Sequence, residues 1–125
     1  MNIVDSSGWL EYLVDGKNAE FFANPIGDAE NLVTPTICLY EIFKRVLATF
    51  GEEKALNVIG TIAFGQTVEL SRNLAIEAAC ISIELKLAMA DSIILATARA
   101  YNATLWTQDV HFQGMAGVKY IEKRA

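Results

Sequence analysis

Apolar residues follow two rhythms along this chain, short runs and longer stretches with a period near that of a helix, and the two alternate. The run Ile3-Val4 ends in Asp5-Ser6-Ser7-Gly8, after which Trp9, Leu10, Tyr12 and Leu13 recur around the polar Glu11 and Asp15. That pattern predicts a strand and then a helix started by Asp and Ser, whose short side chains accept hydrogen bonds from the free amides of a first helical turn. Residues 18–23 predict a short second helix, stopped by Asn24-Pro25 because the residue before proline disfavours the helical region. After a polar loop through Asn31, Leu32-Val33-Thr34 reads as a strand.

Residues 36–50 predict a strong helix with Thr36 as its N-cap and Gly51 as its stop. Glu52 and Glu53 suit the first turn of a further helix, where negative charge meets the positive end of the dipole, and Gly65 closes it. Thr67-Val68-Glu69-Leu70 predicts a strand. Ser71 opens a helix carrying Leu74, Ala75, Ala78, Ile81, Ser82 and Leu85 on one stripe. Residues 91–101 are apolar nearly all round, with Ala96, Ala98 and Ala100, and so predict a buried helix packed closely on a sheet. Residues 104–107 predict a strand ending in Gln108-Asp109, and residues 118–121 a last strand before a basic tail. Strands alternating with helices imply an α/β fold, a mostly parallel sheet with helices on both faces. Residues 1–125 are expected to form one such unit, without repeat, low-complexity segment or linker.

Composition narrows the picture. Of the 125 residues, 53% are hydrophobic and 20% charged, which excludes a disordered chain. The longest apolar stretch, residues 85–101, is broken by Lys86, Asp91 and Arg99, so no membrane span is expected. The N-terminal residues lack a basic segment followed by an apolar core, and Cys38 and Cys80 fall in separate apolar helical patterns. Both cysteines read as buried reduced thiols, and the expected location is the cytoplasm. A net charge of −5 argues against coating nucleic acid through a broad basic face, but is compatible with reaching it through bound divalent cations. The high apolar fraction also points to surface covered by a partner.

In an open α/β sheet, ligands bind beyond the carboxyl ends of the strands. Asp5 follows the first strand and Asp109 the fourth; Asp91 opens the buried helix, and Glu41 lies inside the otherwise apolar helix after Pro35. Four carboxylates brought together repel one another and lose hydration, which requires protons, bases or divalent cations as relief. No lysine, arginine or histidine accompanies them at a close, repeated spacing, so a cation is the natural relief. Hard oxygen donors without a Cys/His cluster favour Mg²⁺ over Zn²⁺, and such a site suits phosphodiester cleavage. Each acid also has a local role open to it. Asp5 can cap the first helix, Glu41 can pair with Arg45 four residues on, Asp91 can be an N-cap and Asp109 a turn residue.

Four segments resemble the motifs of PIN domains: Ile3-Val4-Asp5-Ser6-Ser7, then Thr34-Pro35-Thr36 through Tyr40-Glu41-Ile42, then Leu87-Ala88-Met89-Ala90-Asp91-Ser92, and Leu105-Trp106-Thr107-Gln108-Asp109 with Phe112. Their order and spacing match from end to end, with Ser6-Ser7 standing where threonine-serine is common. The length is most similar to the toxin members of toxin–antitoxin pairs, often called VapC. The resemblance implies a three-layer α/β/α sandwich and a Mg²⁺- or Mn²⁺-dependent endoribonuclease acting on RNA such as tRNA or ribosomal RNA. It further implies a homodimer and a cognate antitoxin that inserts a segment into the acidic groove. By the same resemblance Asp5, Asp91 and Asp109 are metal ligands, and Glu41 holds a second ion or orients the attacking water. Ser7 and Thr107 position the aspartates, although simple capping or turn bonding explains both hydroxyls equally well.

His111, the only histidine, reads more simply as a loop residue set by Phe112 than as a general acid. Trp9, Trp106, Phe43 and Phe50 fall at core-facing positions, and Lys44, Arg45, Lys119, Lys123 and Arg124 read as solvated charges before phosphate contacts. A haloacid-dehalogenase-like phosphatase needs an aspartate at position 7, a receiver domain needs a lysine near the late strand end, and a dinucleotide-binding domain needs a glycine-rich turn; all three are absent. Two alternatives remain, a PIN nuclease of RNA processing and a catalytically silent PIN binding module.

Overall fold

A computed structural model describes residues 1–124. In chain order its elements are β1 (Asn2–Val4), α1 (Ser6–Leu13), α2 (Ala19–Ile26), β2 (Val33–Pro35), α3 (Thr36–Phe50), α4 (Glu52–Ile62), β3 (Gln66–Val68), α5 (Arg72–Leu85), α6 (Met89–Ala100), β4 (Thr104–Thr107) and β5 (Val118–Tyr120). Short 3-10 turns occupy Ala29–Asn31 and Val110–Phe112. Strand β1 pairs with β4, β4 with β5, and β2 with β3, all in parallel. An isolated parallel bridge between Asn2 and Leu32 sets β2 beside β1, so the strands lie in the order β3-β2-β1-β4-β5. The fold is a three-layer α/β/α sandwich, and its described pairings are wholly parallel.

Parallel strands are covered on both faces and therefore read as continuous apolar runs. Ile3, Val4, Val33 and Leu105 are accordingly all fully buried. Helix α6 is buried from Ser92 through Ala98 because it packs on α5 while also touching β2 and β4. Its alanines let the backbones approach closely. Helix α5 is capped by Ser71, whose Oγ accepts from the Leu74 amide at 3.2 Å, and it buries Leu74, Ala78 and Ile81. Gly51, at φ +92°, supplies the left-handed turn that separates α3 from α4. Gly8 is required by packing: a Cβ there would lie 2.5 Å from Phe22 Cε1 and 2.7 Å from Val4 Cγ1. Phe22 is fully buried and has nowhere to retreat, so only glycine lets α1 settle against α2 and β1.

Several local expectations are corrected. Helix α2 runs through Pro25 to Ile26. Proline in the last turn removes a single amide donor, while Gly27 still donates to the Ala23 carbonyl at 2.9 Å and both Pro25 and Ile26 are buried. Thr36 is the first helical residue of α3 rather than its cap, since extended Pro35 holds that position. Helix α6 starts at Met89, so Asp91 lies within its first turn and Ala88 is the N-cap residue. Cys38 is buried but Cys80 is exposed, as is Ala75 on the same helix. Trp9 and Trp106 belong to the core and Phe43 is half-buried, whereas Phe50 is exposed beneath the Lys54 ammonium, 5.2 Å from its ring centre. No described helix is long and apolar enough to cross a membrane.

Candidate active site

Strands β1 and β4 end side by side, and the Asp5 amide extends their pairing by donating to the Trp106 carbonyl at 3.2 Å. Because β2 flanks β1 on one side and β4 on the other, the direction of strand succession reverses here, the point beyond the carboxyl ends where open α/β sheets place their ligands. Asp5 follows β1 at this switch point and is buried. Its Oδ1 accepts from the Gly8 amide at 2.8 Å and from Ser7 Oγ at 2.9 Å, while its Oδ2 accepts from Thr107 Oγ1 at 2.5 Å. Asp5 is therefore the N-cap of α1 and, through Thr107, a link between strand ends. Thr107 Oγ1 in turn accepts from the Asp109 amide at 2.9 Å, fixing the start of the next turn.

Asp109 caps the Val110–Phe112 turn, its Oδ1 accepting from the His111 amide at 2.9 Å. Asp91 arrives from the other direction, on α6. The corner before it is held by Ser82 Oγ, which donates to the Leu87 carbonyl at 2.7 Å, and by Ser92 Oγ, which donates to the Ala88 carbonyl at 2.8 Å. His111 Nδ1 lies 3.2 Å from Asp109 Oδ1 and 3.6 Å from Asp91 Oδ2. One donor atom from each of Asp91, Asp109 and His111 lies within 4.8 Å of the others. Glu41 on α3 accepts from Ser6 Oγ at 2.6 Å instead of pairing with Arg45.

Of the acids expected from sequence, Asp91 and Asp109 thus form one group with His111, while Asp5 and Glu41 stand outside that group of three. Asp5 reaches Asp109 through the Thr107 hydroxyl, and Glu41 is tied to Ser6, the residue after Asp5. Ser7 and Thr107 both bond the Asp5 carboxylate. Two further participants, Ser6 and His111, carry weaker signals in the sequence. Ser6 was legible only as one of two adjacent hydroxyls. His111 carries a usable signal, its position two residues after an acid at a strand end, although a loop residue set by Phe112 has the same pattern.

Burial pushes the Asp5 carboxyl up from 3.8 to about 6; the donors Thr107, Gly8 and Ser7 oppose that rise and the charge of Asp109 adds to it. Asp91 is also raised, chiefly by burial and then by Asp109, with Glu41 adding and His111 opposing. Burial likewise pushes the Cys38 thiol far up, so it stays protonated and is no nucleophile. Among the described residues no lysine or arginine forms an ion pair with these acids; only the His111 imidazole stands close to them. Carboxylates under like-charge strain, with oxygen donors and one nitrogen converging, fit a divalent cation, for which Asp91, Asp109 and His111 offer donor atoms.

The described residues form a parallel α/β sandwich with acids gathered at its switch point, an arrangement suited to binding a divalent cation, and comparison gives its family. The PIN domain model matches residues 3–118, and the chain belongs to the PIN domain family. Its fold is similar to a chain of a toxin–antitoxin complex from Klebsiella pneumoniae, with a TM-score of 0.79 and 20% identity over 95% of this chain and 96% of that one. It is also similar to a chain of DNA-bound VapBC from Salmonella typhimurium (TM-score 0.74, 17% identity, 98% of each chain). A third similar structure is the sarcin–ricin-loop-cleaving toxin VapC20 of Mycobacterium tuberculosis (TM-score 0.72, 14% identity, 94% of this chain and 98% of that one). Comparison of the sequence with characterised proteins gives no significant match.

The raised Asp5 pKa sets a stability signature. Between 3.8 and about 6 the native state binds a proton that the unfolded state releases, so metal-free stability falls as pH rises through this window and then levels off. At about 1.4 kcal/mol per unit, the full penalty is at most about 3 kcal/mol. Asp5→Asn is expected to stabilise the metal-free protein at pH 7.5 by about 1–3 kcal/mol and to change little near pH 4, as read by urea unfolding at both values. A loss of stability at pH 7.5 would mean that the Thr107 and Gly8 bonds to the charged form outweigh its burial.

Proposed function

We propose that this protein is a divalent-cation-dependent endoribonuclease that hydrolyses RNA phosphodiester bonds and acts as the toxin of a toxin–antitoxin pair in the cytoplasm. The observation that carries this reading is the convergence of Asp91 and Asp109 beside buried Asp5, with no lysine or arginine paired to them among the described residues. Membership of the PIN family and likeness to VapC chains support it. Structured RNA, ribosomal or transfer, is the favoured substrate class, given that the similar VapC20 cleaves the sarcin–ricin loop.

In this reading Asp5, Asp91 and Asp109 hold Mg²⁺ or Mn²⁺ and Glu41 holds a second ion or orients the attacking water. A bound cation would supply Lewis-acid polarisation of the scissile phosphate and a water activated near neutral pH. The chain's own part is placement. Thr107 donates to Asp5 Oδ2 and Ser7 to Oδ1, which leaves the carboxylate little rotational freedom. Ser6 steadies Glu41 from the same turn.

The groove that an antitoxin segment would occupy runs between α1 and the α3–α4 hairpin. It encloses about 860 Å³, with Leu10, Leu13, Val14, Phe50 and Val58 along it, and it reaches Ser7, which bonds Asp5. An amphipathic helix laid there buries an apolar face and ends beside the acids. The outer face of α5 supports a homodimer. Ile76, Cys80 and Ile83 recur there at helical spacing, with Ile76 56% and Ile83 84% exposed.

Purified protein is expected to cut RNA only with Mg²⁺ or Mn²⁺, and Asp91→Asn to lower the rate by at least about 100-fold with an unchanged circular dichroism spectrum. Metal-dependent cutting that survives in Asp91→Asn would remove this site from the chemistry; absence of both cutting and metal binding would favour a silent binding module. Val14, 53% exposed in the groove, offers a second measurement. Val14→Asp should weaken the complex with a cognate antitoxin roughly tenfold or more, by calorimetry, without altering cleavage. In sedimentation the chain is expected to run as a dimer and Ile83→Glu as a monomer; a monomeric parent would dismiss the α5 interface.

A further inference from the structure

We propose that His111 supplies a nitrogen ligand to the cation held by Asp91 and Asp109, and that this nitrogen biases the site toward Mn²⁺ over Mg²⁺. The inference rests on the metal-dependent reading above and concerns which ion that site selects.

Position comes first. His111 Nδ1 faces both carboxylates, 3.2 Å from Asp109 Oδ1 and 3.6 Å from Asp91 Oδ2. Adjacent donors around an ion with bonds of about 2.1 Å are separated by roughly 3 Å, so His111 Nδ1 already stands near the spacing of a neighbouring ligand to each carboxylate, and all three donors lie within 4.8 Å of one another. The imidazole is steered there by the backbone. The His111 amide donates to Asp109 Oδ1, and Phe112, fully buried, pins the same turn to the core. The ring itself is 66% exposed, so it can adjust to an ion without disturbing packing.

Chemistry then sets the preference. Mg²⁺ takes hard oxygen ligands and gains little from imidazole; Mn²⁺ also favours oxygen and stands lowest in the first-row affinity series, but as a softer transition ion it gains more from a single imidazole than Mg²⁺ does. A site of carboxylates alone would discriminate weakly between the two. Adding one nitrogen at this spacing favours Mn²⁺. The competing role is a counter-charge, in which the imidazole merely offsets the acids and must be displaced when an ion enters. The two roles differ in sign: removing a ligand weakens Mn²⁺ binding, while removing a displaceable counter-charge tightens binding of both ions.

The test uses the full chain, with Mn²⁺ as the probe and Mg²⁺ as competitor, comparing the parent with His111→Ala at pH 7.5. Electron paramagnetic resonance gives free Mn²⁺, and pulsed measurements report any ¹⁴N nucleus coupled to the bound ion. The parent is expected to show ¹⁴N coupling and to prefer Mn²⁺. Groups one shell further out already change metal affinity by roughly 10–100-fold, so His111→Ala should lose the coupling and weaken Mn²⁺ by at least about tenfold. Mg²⁺ affinity should stay within about threefold. Bound Mn²⁺ without ¹⁴N coupling, or tighter binding of both ions in the variant, would overturn the proposal. If that bound Mn²⁺ is lost in Asp91→Asn, the metal site stands and only the role of His111 falls. If the parent binds no Mn²⁺, both fall together.

Discussion

The hydrogen bond from the Thr107 hydroxyl to the buried Asp5 carboxylate is the contact on which the rest of the site depends. It joins the ends of two neighbouring parallel strands, β1 and β4, at the level where the sheet stops and the loops begin. The same hydroxyl oxygen accepts the Asp109 amide, so a single side chain fixes one acid directly and starts the turn that carries another. Such a bond is strong because its acceptor is charged and the surroundings exclude water. It remains too weak to abolish the cost of burying the charge, and the Asp5 pKa stays well above its ordinary value. The site is therefore held in place and under electrostatic strain at once, the condition in which a cation binds with most gain.

Hydroxyls do comparable positioning elsewhere around the acids. Ser6 bonds Glu41 across thirty-five positions of sequence, and Ser7 shares Asp5 Oδ1 with the Gly8 amide. At the α5–α6 corner, Ser82 and Ser92 close on the carbonyls before α6 and so fix the height at which Asp91 projects. None of these bonds introduces a counter-charge. Serine and threonine orient carboxylates while leaving their negative field largely intact, whereas a lysine in the same place would neutralise it. Gly8 contributes by absence: without a Cβ, α1 packs against Phe22 and brings its N-terminus, with Asp5 as cap, down to the sheet edge.

Much of the fold was legible because its signals are local. The Ser71 cap, the Gly51 stop, the two acids opening α4 and the all-round apolar α6 each follow from propensity or periodicity that the tertiary structure leaves unopposed. The misreadings share a different cause. Pro25 stays helical because burial of the last turn outweighs one lost donor, and Cys80 is exposed because α5 turns only one stripe inward. Glu41 and Arg45 have the spacing of a helical ion pair, yet a serine from another element takes the carboxylate. Local rules describe what a residue can do with its sequence neighbours and are silent about competitors that arrive from afar.

The sequence by itself determined the alternation of strands and helices, the apolar strands that a two-sided sheet demands, and the identity of the acids at strand and helix ends. Those features rest on backbone propensity and solvent exclusion, which act over a few residues. The tertiary structure alone decided which donors share a space. Asp91, Asp109 and His111 meet because α6 crosses the sheet beside β4, and Asp5 is strained because the core closes over it. Distances between remote elements and the depth of burial set electrostatic energies, and neither quantity is written in the order of residues.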